Sequence, residues 1–355
     1  MIGQLTTHTG TPHRRAFSLI ELLVVIVIIA VVISITVPAL SGARSLAKKS
    51  SSNAQIASLV TAVAQFQADN DRLPGYFSAD EMGNGENATR GFTQMENIML
   101  DLIGGPVEST GGIVASNAMK VGPTNSSEVT VDLDTINLGQ GSKGYYTPDN
   151  KGYLPVDGQA ANADHQKLPD VLDAWGMPIL AWADNTTGPK MNANSSIQDF
   201  ARINSDTEPA HYYWNQNAGM LSSTALGTKQ VQQAKPTPVN NRPWSLLGKG
   251  ESNLEERLTA LLGSPAFAVD ETVGVNSILP SAGRGGIVFQ SAGADRVYLS
   301  RDDKGFGKLG GELIYGRNFT PKGSISQGQY ELDDGTQGSI DIIAGFDDIV
   351  EGAGN

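Results

Sequence analysis

At 355 residues the chain has room for about two domains, and 39% hydrophobic content is enough for a packed core, so an unfolded tail-like protein is excluded. A formal charge of -12 opposes nucleic acid as a partner, and zero cysteines exclude a disulfide scaffold and thiolate metal centres. The 41 glycines, with charged residues at only 17%, describe a loop-rich body whose turns are polar and uncharged.

The first informative segment is the N-terminus. Arg14 and Arg15 precede Leu22 to Ile33, which read LLVVIVIIAVVI without a polar break. With Phe17, Leu19, Ile20, Ile35 and Val37 the span reaches about 21 residues, a helix of roughly 31 Å and thus one bilayer core. Glu21 interrupts it. A carboxylate there costs on the order of 2.5 to 3.5 kcal/mol at mid-bilayer, less near the edge, and the flanking apolar residues offset it at about 0.4 kcal/mol each. The segment therefore inserts, while the acid demands a partner that packing does not supply.

Past Pro38, apolar residues at Leu46, Ile56, Leu59, Val60, Val63 and Phe66 keep the three-and-four spacing of an amphipathic helix, until Asp71-Arg72-Leu73-Pro74-Gly75 stops it. One helix of about 54 residues is expected, its second half covered by a sheet of the same chain, because the spacing is too short for a sustained coiled coil.

The stretch Arg14-Arg15-Ala16-Phe17-Ser18-Leu19-Ile20-Glu21 resembles the prepilin motif of type IV pilin-like proteins, and in particular type II secretion pseudopilins. The resemblance implies cleavage by a prepilin peptidase between Ala16 and Phe17 and methylation of the new Phe17 amine. It implies that Glu21 pairs with the terminal amine of a neighbouring subunit, and that Pro38 marks a helix kink. Ala16 stands where glycine is usual. It also implies the pilin fold: an α+β chain with a long transmembrane and stalk helix packed on an antiparallel sheet head, here with large insertions. The expected divisions are a leader, 1–16, the helix, 17–75, and a periplasmic head, 76–355, anchored by a single pass in a bacterial inner membrane. Partners implied are further copies in a filament, the prepilin peptidase, other pseudopilins and the secretion or pilus assembly platform. Flanking charge does not orient the span, since Arg44, Lys48 and Lys49 follow it. The competing reading is an ordinary export signal, with a loosely twin-arginine leader and a small-x-small site at Ser41-Gly42-Ala43, releasing a soluble enzyme that starts at Arg44. Glu21 has no use in such a signal.

In the head, helices are expected over 93–103 and 252–262, each opened by a capping box, Thr93 with Glu96 and Ser252 with Glu255, and closed by glycine then proline. Short strands are expected over 129–133, 179–183, 211–214, 287–289, 297–299, 313–315 and 340–343, divided by Gly, Asn and Asp clusters, and an exposed loop over 227–243. Asp173-Ala174-Trp175-Gly176-Met177-Pro178 resembles a stretch leading into the sheet of major pseudopilins, with Trp175 covering the core against the stalk. Ser291-Ala292-Gly293-Ala294-Asp295 and Phe346-Asp347-Asp348-Ile349 resemble the two halves of that family's calcium loop, making Asp295, Asp347 and Asp348 candidate ligands. Here about fifty residues separate the halves, including a further acidic turn at Asp302-Asp303. The alternative for these acids is a solvated face.

No enzyme is expected. His165 and His211 stand apart, no HExxH, Gly-x-Ser-x-Gly or P-loop occurs, and Gly283-Arg284-Gly285-Gly286 precedes a strand instead of opening a phosphate-binding helix. A minor pilin or adhesin whose enlarged head binds a ligand is the second function class kept open.

Overall fold

A computed structural model describes residues 18–106, 117–138, 144–149, 151–155, 165–185, 200–203, 211–222, 245–248, 253–265, 278–303, 313–318 and 341–354. Ala16, Phe17, Ser252 and the 227–243 loop lie outside them. The chain divides into two compact units, Met1–Ala47 and Lys48–Asn355. The fold is α+β, a long N-terminal helix with antiparallel sheets.

The elements follow in order: helices α1 (Leu19–Asn70), α2 (Ala79–Met82), α3 (Asn87–Arg90) and α4 (Gln94–Leu102), then strands β1 (Ala118–Val121) and β2 (Val129–Asp132). Helix α5 (Leu133–Leu138) precedes β3 (Tyr153–Pro155), β4 (Pro169–Val171), β5 (Leu180–Ala183), β6 (Phe200–Ala201) and β7 (Tyr212–Tyr213). Helices α6 (Ala218–Leu221) and α7 (Leu254–Leu262) and strands β8 (Ile287–Ser291) and β9 (Ile349–Ala353) complete them.

In the first unit, every large apolar side chain from Leu19 to Val37 is exposed, between 44% at Val25 and 81% at Leu19. The helix passes through Pro38, which has no N–H to offer the Ser34 carbonyl. Nearby hydroxyls turn back on the backbone, Ser34 Oγ donating to Val31 O (2.7 Å) and Thr36 Oγ1 to Val32 O (2.8 Å), so neither presents an unmet polar group to an apolar solvent.

In the second unit, α1 buries Ser52, Ile56, Leu59, Ala62, Val63 and Phe66 on one face. They pack with Met95, Ile98 and Leu102 of α4 and with Ala181, Phe289 and Ile349 of a three-stranded antiparallel sheet ordered β5-β8-β9. Alternate side chains of the same strands, Leu180, Trp182 and Val288, join a second core with Leu258 and Leu261 of α7. Helix layers thus cover both faces of β8, which explains its continuous burial and its unbroken apolar start, Ile287-Val288-Phe289. The other strands form three separate pairs, β1 with β2, β3 with β4 and β6 with β7.

Helix α4 has its expected capping box, with Thr93 N donating to Glu96 (2.7 Å) and Glu96 N to Thr93 Oγ1 (3.2 Å). Helix α7 begins at Leu254 after Asn253, whose φ is 63° and whose side chain makes no capping bond, so the expected opening at Ser252 is corrected to this residue. The expected strand over 297–299 is instead a turn. Arg296 and Leu299 have φ of 67° and 44°, and Leu299 N donates to the Asp348 carboxylate (3.0 Å) where a strand would offer a backbone carbonyl. The segments expected as strands at 313–315 and 340–343 lead into 3-10 turns, Tyr315–Asn318 and Ile342–Gly345, the second capped by Asp341. In each case the apolar run recorded burial, not conformation: Val297, Tyr298, Leu299, Leu313 and Ile343 are all core residues.

Strand β9 was hidden by Glu351 and Gly352. A Cβ at Gly352 would lie 2.2 Å from the Arg284 carbonyl, so glycine permits the close approach of the Gly283–Gly286 segment. That glycine run therefore has a packing role.

Candidate functional site

Two places carry the candidate residues. At the N-terminus, Glu21 lies in the first turn of α1, where its amide donates to Ser18 O (3.0 Å). Among the described residues its carboxylate has no hydrogen bond or ion pair, although acid in a helix's first turn is favoured by the helix dipole. It stands at the head of the uncovered apolar face. The helix is long and apolar enough to cross a membrane.

The second place is the end of the central sheet. The register pairs Ser291, the last residue of β8, with Ile349, the first of β9, so the turn after one meets the turn before the other across more than fifty positions of sequence. Gly293 has φ of 68°, and a Cβ there would sit 2.4 Å from Asp347 O and 2.5 Å from its Oδ1; only glycine fits this contact. Asp295 N donates to Asp347 Oδ2 (2.9 Å), Val297 N to Asp295 Oδ1 (2.8 Å), and Asp347 N to Asp303 Oδ2 (3.3 Å).

Asp295, Asp303 and Asp347 each offer a carboxylate oxygen, all within 4.8 Å of one another. Asp347 Oδ1 is buried without a hydrogen-bond partner. Burial first, then the charges of Asp295 and Asp303, push the Asp347 carboxyl up to about 7, against the lowering effect of the Asp295 and Ala294 amides. Clustered hard oxygens, an orphaned buried oxygen and mutual repulsion fit a hard divalent cation such as calcium, which takes six to eight oxygen ligands.

Asp348 is placed elsewhere. It is buried, its carboxylate accepting from Gln290 Nε2 (2.7 Å) and Leu299 N (3.0 Å), with its pKa raised well above the ordinary value by burial. Gln290 in turn accepts from Trp182 Nε1 (3.2 Å), so Asp348 ties the turn to the sheet core. Asp303 stands with Asp295 and Asp347 where sequence placed Asp348. The acidic turn at 302–303 was visible in the sequence, but nothing local linked it to Asp347.

The Asp173 turn joins stalk, sheet and loop. Asp173 Oδ1 accepts from Trp175 N and Met177 N (2.9 Å each), its Oδ2 accepts from Ser291 Oγ (2.6 Å), and Ala174 N donates to Ser52 Oγ of α1 (3.0 Å). Burial outweighs these bonds and pushes the Asp173 carboxyl up to about 6. Ser291 is thereby committed to Asp173, and Trp175 packs in the core that holds the buried face of α1. His165 is similarly occupied, its Nδ1 facing Arg90 O (2.9 Å) and its Nε2 accepting from Gly122 N (3.1 Å).

With this geometry in hand, residues 11–37 match the family described as Prokaryotic N-terminal methylation motif. This is the prepilin-type motif of type IV pilin-like proteins, and the match spans Ala16, Phe17 and Glu21. The chain is accordingly type IV pilin-like: its motif implies prepilin-peptidase processing and assembly into filaments generally, and with the apolar helix it marks a membrane-anchored protein. No curated protein and no solved structure matches the chain.

Proposed function

We propose that the chain is a structural subunit of a type II secretion pseudopilus, or of a closely related type IV pilus-like filament, and that it performs no catalysis. Prepilin peptidase cuts between Ala16 and Phe17, the helix anchors the subunit in the inner membrane, and the head lies in the periplasm. The observation that carries this reading is one acid, Glu21, with no ion pair among the described residues, at the start of the apolar, exposed stretch of α1 within the matched motif. A neighbouring subunit's Phe17 amine would neutralise it only on stacking, so assembly and charge pairing become one event. The same inward face of filament helices would cover the apolar side chains once subunits leave the lipid.

In the head, Asp295, Asp303 and Asp347 would hold calcium, whose role is to clamp the turns after β8 and before β9. A minor, ligand-binding subunit is the second reading, favoured by the long insertion between β5 and its hydrogen-bonded neighbour β8. Subunit stoichiometry in purified filaments separates the two.

The test is removal of the host's prepilin peptidase. The chain should then keep residues 1–16, stay in the membrane and vanish from sheared filaments. Recovery of a soluble chain beginning at Arg44, with or without the peptidase, would contradict the proposal.

A further inference from the structure

The turn between α2 and α3 holds Asn84-Gly85, the one Asn-Gly pair in the chain. Asn84 N donates to Glu81 O (3.2 Å) and Asn84 O accepts from Asn87 N (3.0 Å), which pins its backbone to both helices. Its side-chain oxygen, Oδ1, accepts from Glu86 N (2.9 Å). A backbone amide can only donate, so the carboxamide oxygen faces Glu86 and the nitrogen, Nδ2, is turned from it. Neither Nδ2 nor Gly85 N has a hydrogen bond among the described residues. Gly85 is exposed and Asn84 partly so, leaving both open to water.

The Glu86 bond closes a ring that contains both the Asn84 Cγ carbonyl and the Gly85 nitrogen, which are joined through Cβ, Cα and the carbonyl carbon alone. Within that ring, one N–H already stands where negative charge develops on Oδ1 if the nitrogen attacks Cγ. Gly85 has no Cβ to shield its nitrogen, whose proton is committed to no acceptor among the described residues. The neighbouring asparagines lack this combination. Asn125, before Ser126, has Nδ2 donating to Glu86 and Oδ1 accepting from Arg90 Nη1 (2.7 Å). Asn87 is buried, with Nδ2 donating to Met82 O and Phe92 O (2.9 Å each) and Oδ1 accepting from Phe92 N (3.1 Å).

We propose that Asn84 is a self-modification site, at which the folded chain deamidates with water as the only co-reactant. Gly85 N attacks Cγ and forms the new C–N bond of a five-membered succinimide, its amide proton passing to water while the Cγ–Nδ2 bond breaks and Nδ2 leaves as ammonia. Water then adds to either ring carbonyl and opens the ring, giving aspartate or isoaspartate at position 84, so one water is consumed and one ammonia released. Either product adds a carboxylate to a segment that already carries Asp80, Glu81 and Glu86. Isoaspartate also lengthens the backbone between the two bonds that pin α2 to α3, and so loosens the turn. The modified fraction rises with the age of the subunit. The reaction belongs to the head alone and does not depend on the filament reading.

The test incubates the purified full-length chain, folded in detergent, at mildly alkaline pH in water enriched in heavy oxygen, and maps its peptides by mass at intervals. Asn84 should gain the mass of deamidation with one heavy oxygen, as a mixture of aspartate and isoaspartate, while Asn87 and Asn125 stay unchanged. Gly85→Ala should slow the conversion about tenfold or more at an unchanged melting temperature, because its methyl group shields the attacking nitrogen. The same chain in denaturant supplies the comparison that needs no variant. Conversion of Asn84 there but not in the folded chain would overturn the proposal, since the fold would then protect the bond. Conversion of Asn125 as fast as Asn84, or an undiminished rate in the folded Gly85→Ala chain, would overturn it as well.

Discussion

The two parts of α1 obey the same helical geometry and have opposite fates. From Leu19 to Val37 its large apolar residues are uncovered, whereas Ile56, Leu59, Val63 and Phe66 are wholly buried against α4 and the β5-β8-β9 sheet. The difference is one of completeness. The later part finds its solvent-excluding partner within the chain, whereas the earlier part finds none among the described residues, and in the proposed filament lipid or other subunits would supply it. A residue's energetic role therefore depends on which part it occupies: substitutions in one should alter assembly, and substitutions in the other should alter the stability of the head.

The largest expected effect is on assembly. Glu21→Ala should reduce sedimentable filament by about tenfold or more, since it would leave the neighbouring amine buried without a counter-charge, which costs about 3–5 kcal/mol. Membrane insertion and the head's melting temperature should be unchanged; normal filament yield would break the comparison. Next, Phe66→Ala should destabilise the head by about 3–5 kcal/mol, read by denaturant unfolding of the full chain in detergent, from the loss of a fully buried aromatic that also meets Tyr145 edge-on at 5.2 Å. Ile28→Ala in the same assay should do almost nothing, and equal effects of the two would contradict the division.

A calcium concentration a hundred times its dissociation constant should raise head stability by about 2.7 kcal/mol, with Asp347→Asn removing most of the gain. Chelator-insensitive melting would eliminate the metal. The smallest effect is the dependence on pH. The carboxyls of Asp173 and Asp184 are raised to about 6 and that of Asp347 to about 7, in each case chiefly by burial. The native head therefore holds protons that the unfolded chain has released, and without metal its stability should fall as pH climbs from about 4 through 7. Calcium should flatten the upper part of that decline by replacing the proton at Asp347, and Asp173→Asn should flatten the lower part. A metal-free melting temperature that rises over the same range would contradict these assignments.

How legible the molecule was in its sequence follows the same division. The N-terminal helix, expected over 17–75 and observed over Leu19–Asn70, was legible to within a few residues, because the unbroken apolar run, the amphipathic spacing after it and the breakers from Asp71 to Gly75 are local signals with local consequences. Helix α4 was equally legible through Thr93 and Glu96. In the head, apolar runs revealed the core but not always its conformation. Val297 to Leu299 is buried as a turn because the Asp348 carboxylate, contributed from far along the chain, satisfies its backbone. Strand β9 escaped because its glycine serves a contact with Arg284 that no neighbouring residue announces. The acidic site was half legible: Asp295 and Asp347 stood in recognisable turns, while the β8–β9 register decides that Asp303 joins them and Asp348 points into the core.

Intact mass with N-terminal sequencing of the protein recovered from host membranes decides whether this chain is a processed, membrane-anchored filament subunit. The expected chain begins at a methylated Phe17. A chain beginning at Arg44, released by an ordinary signal peptidase, would contradict it.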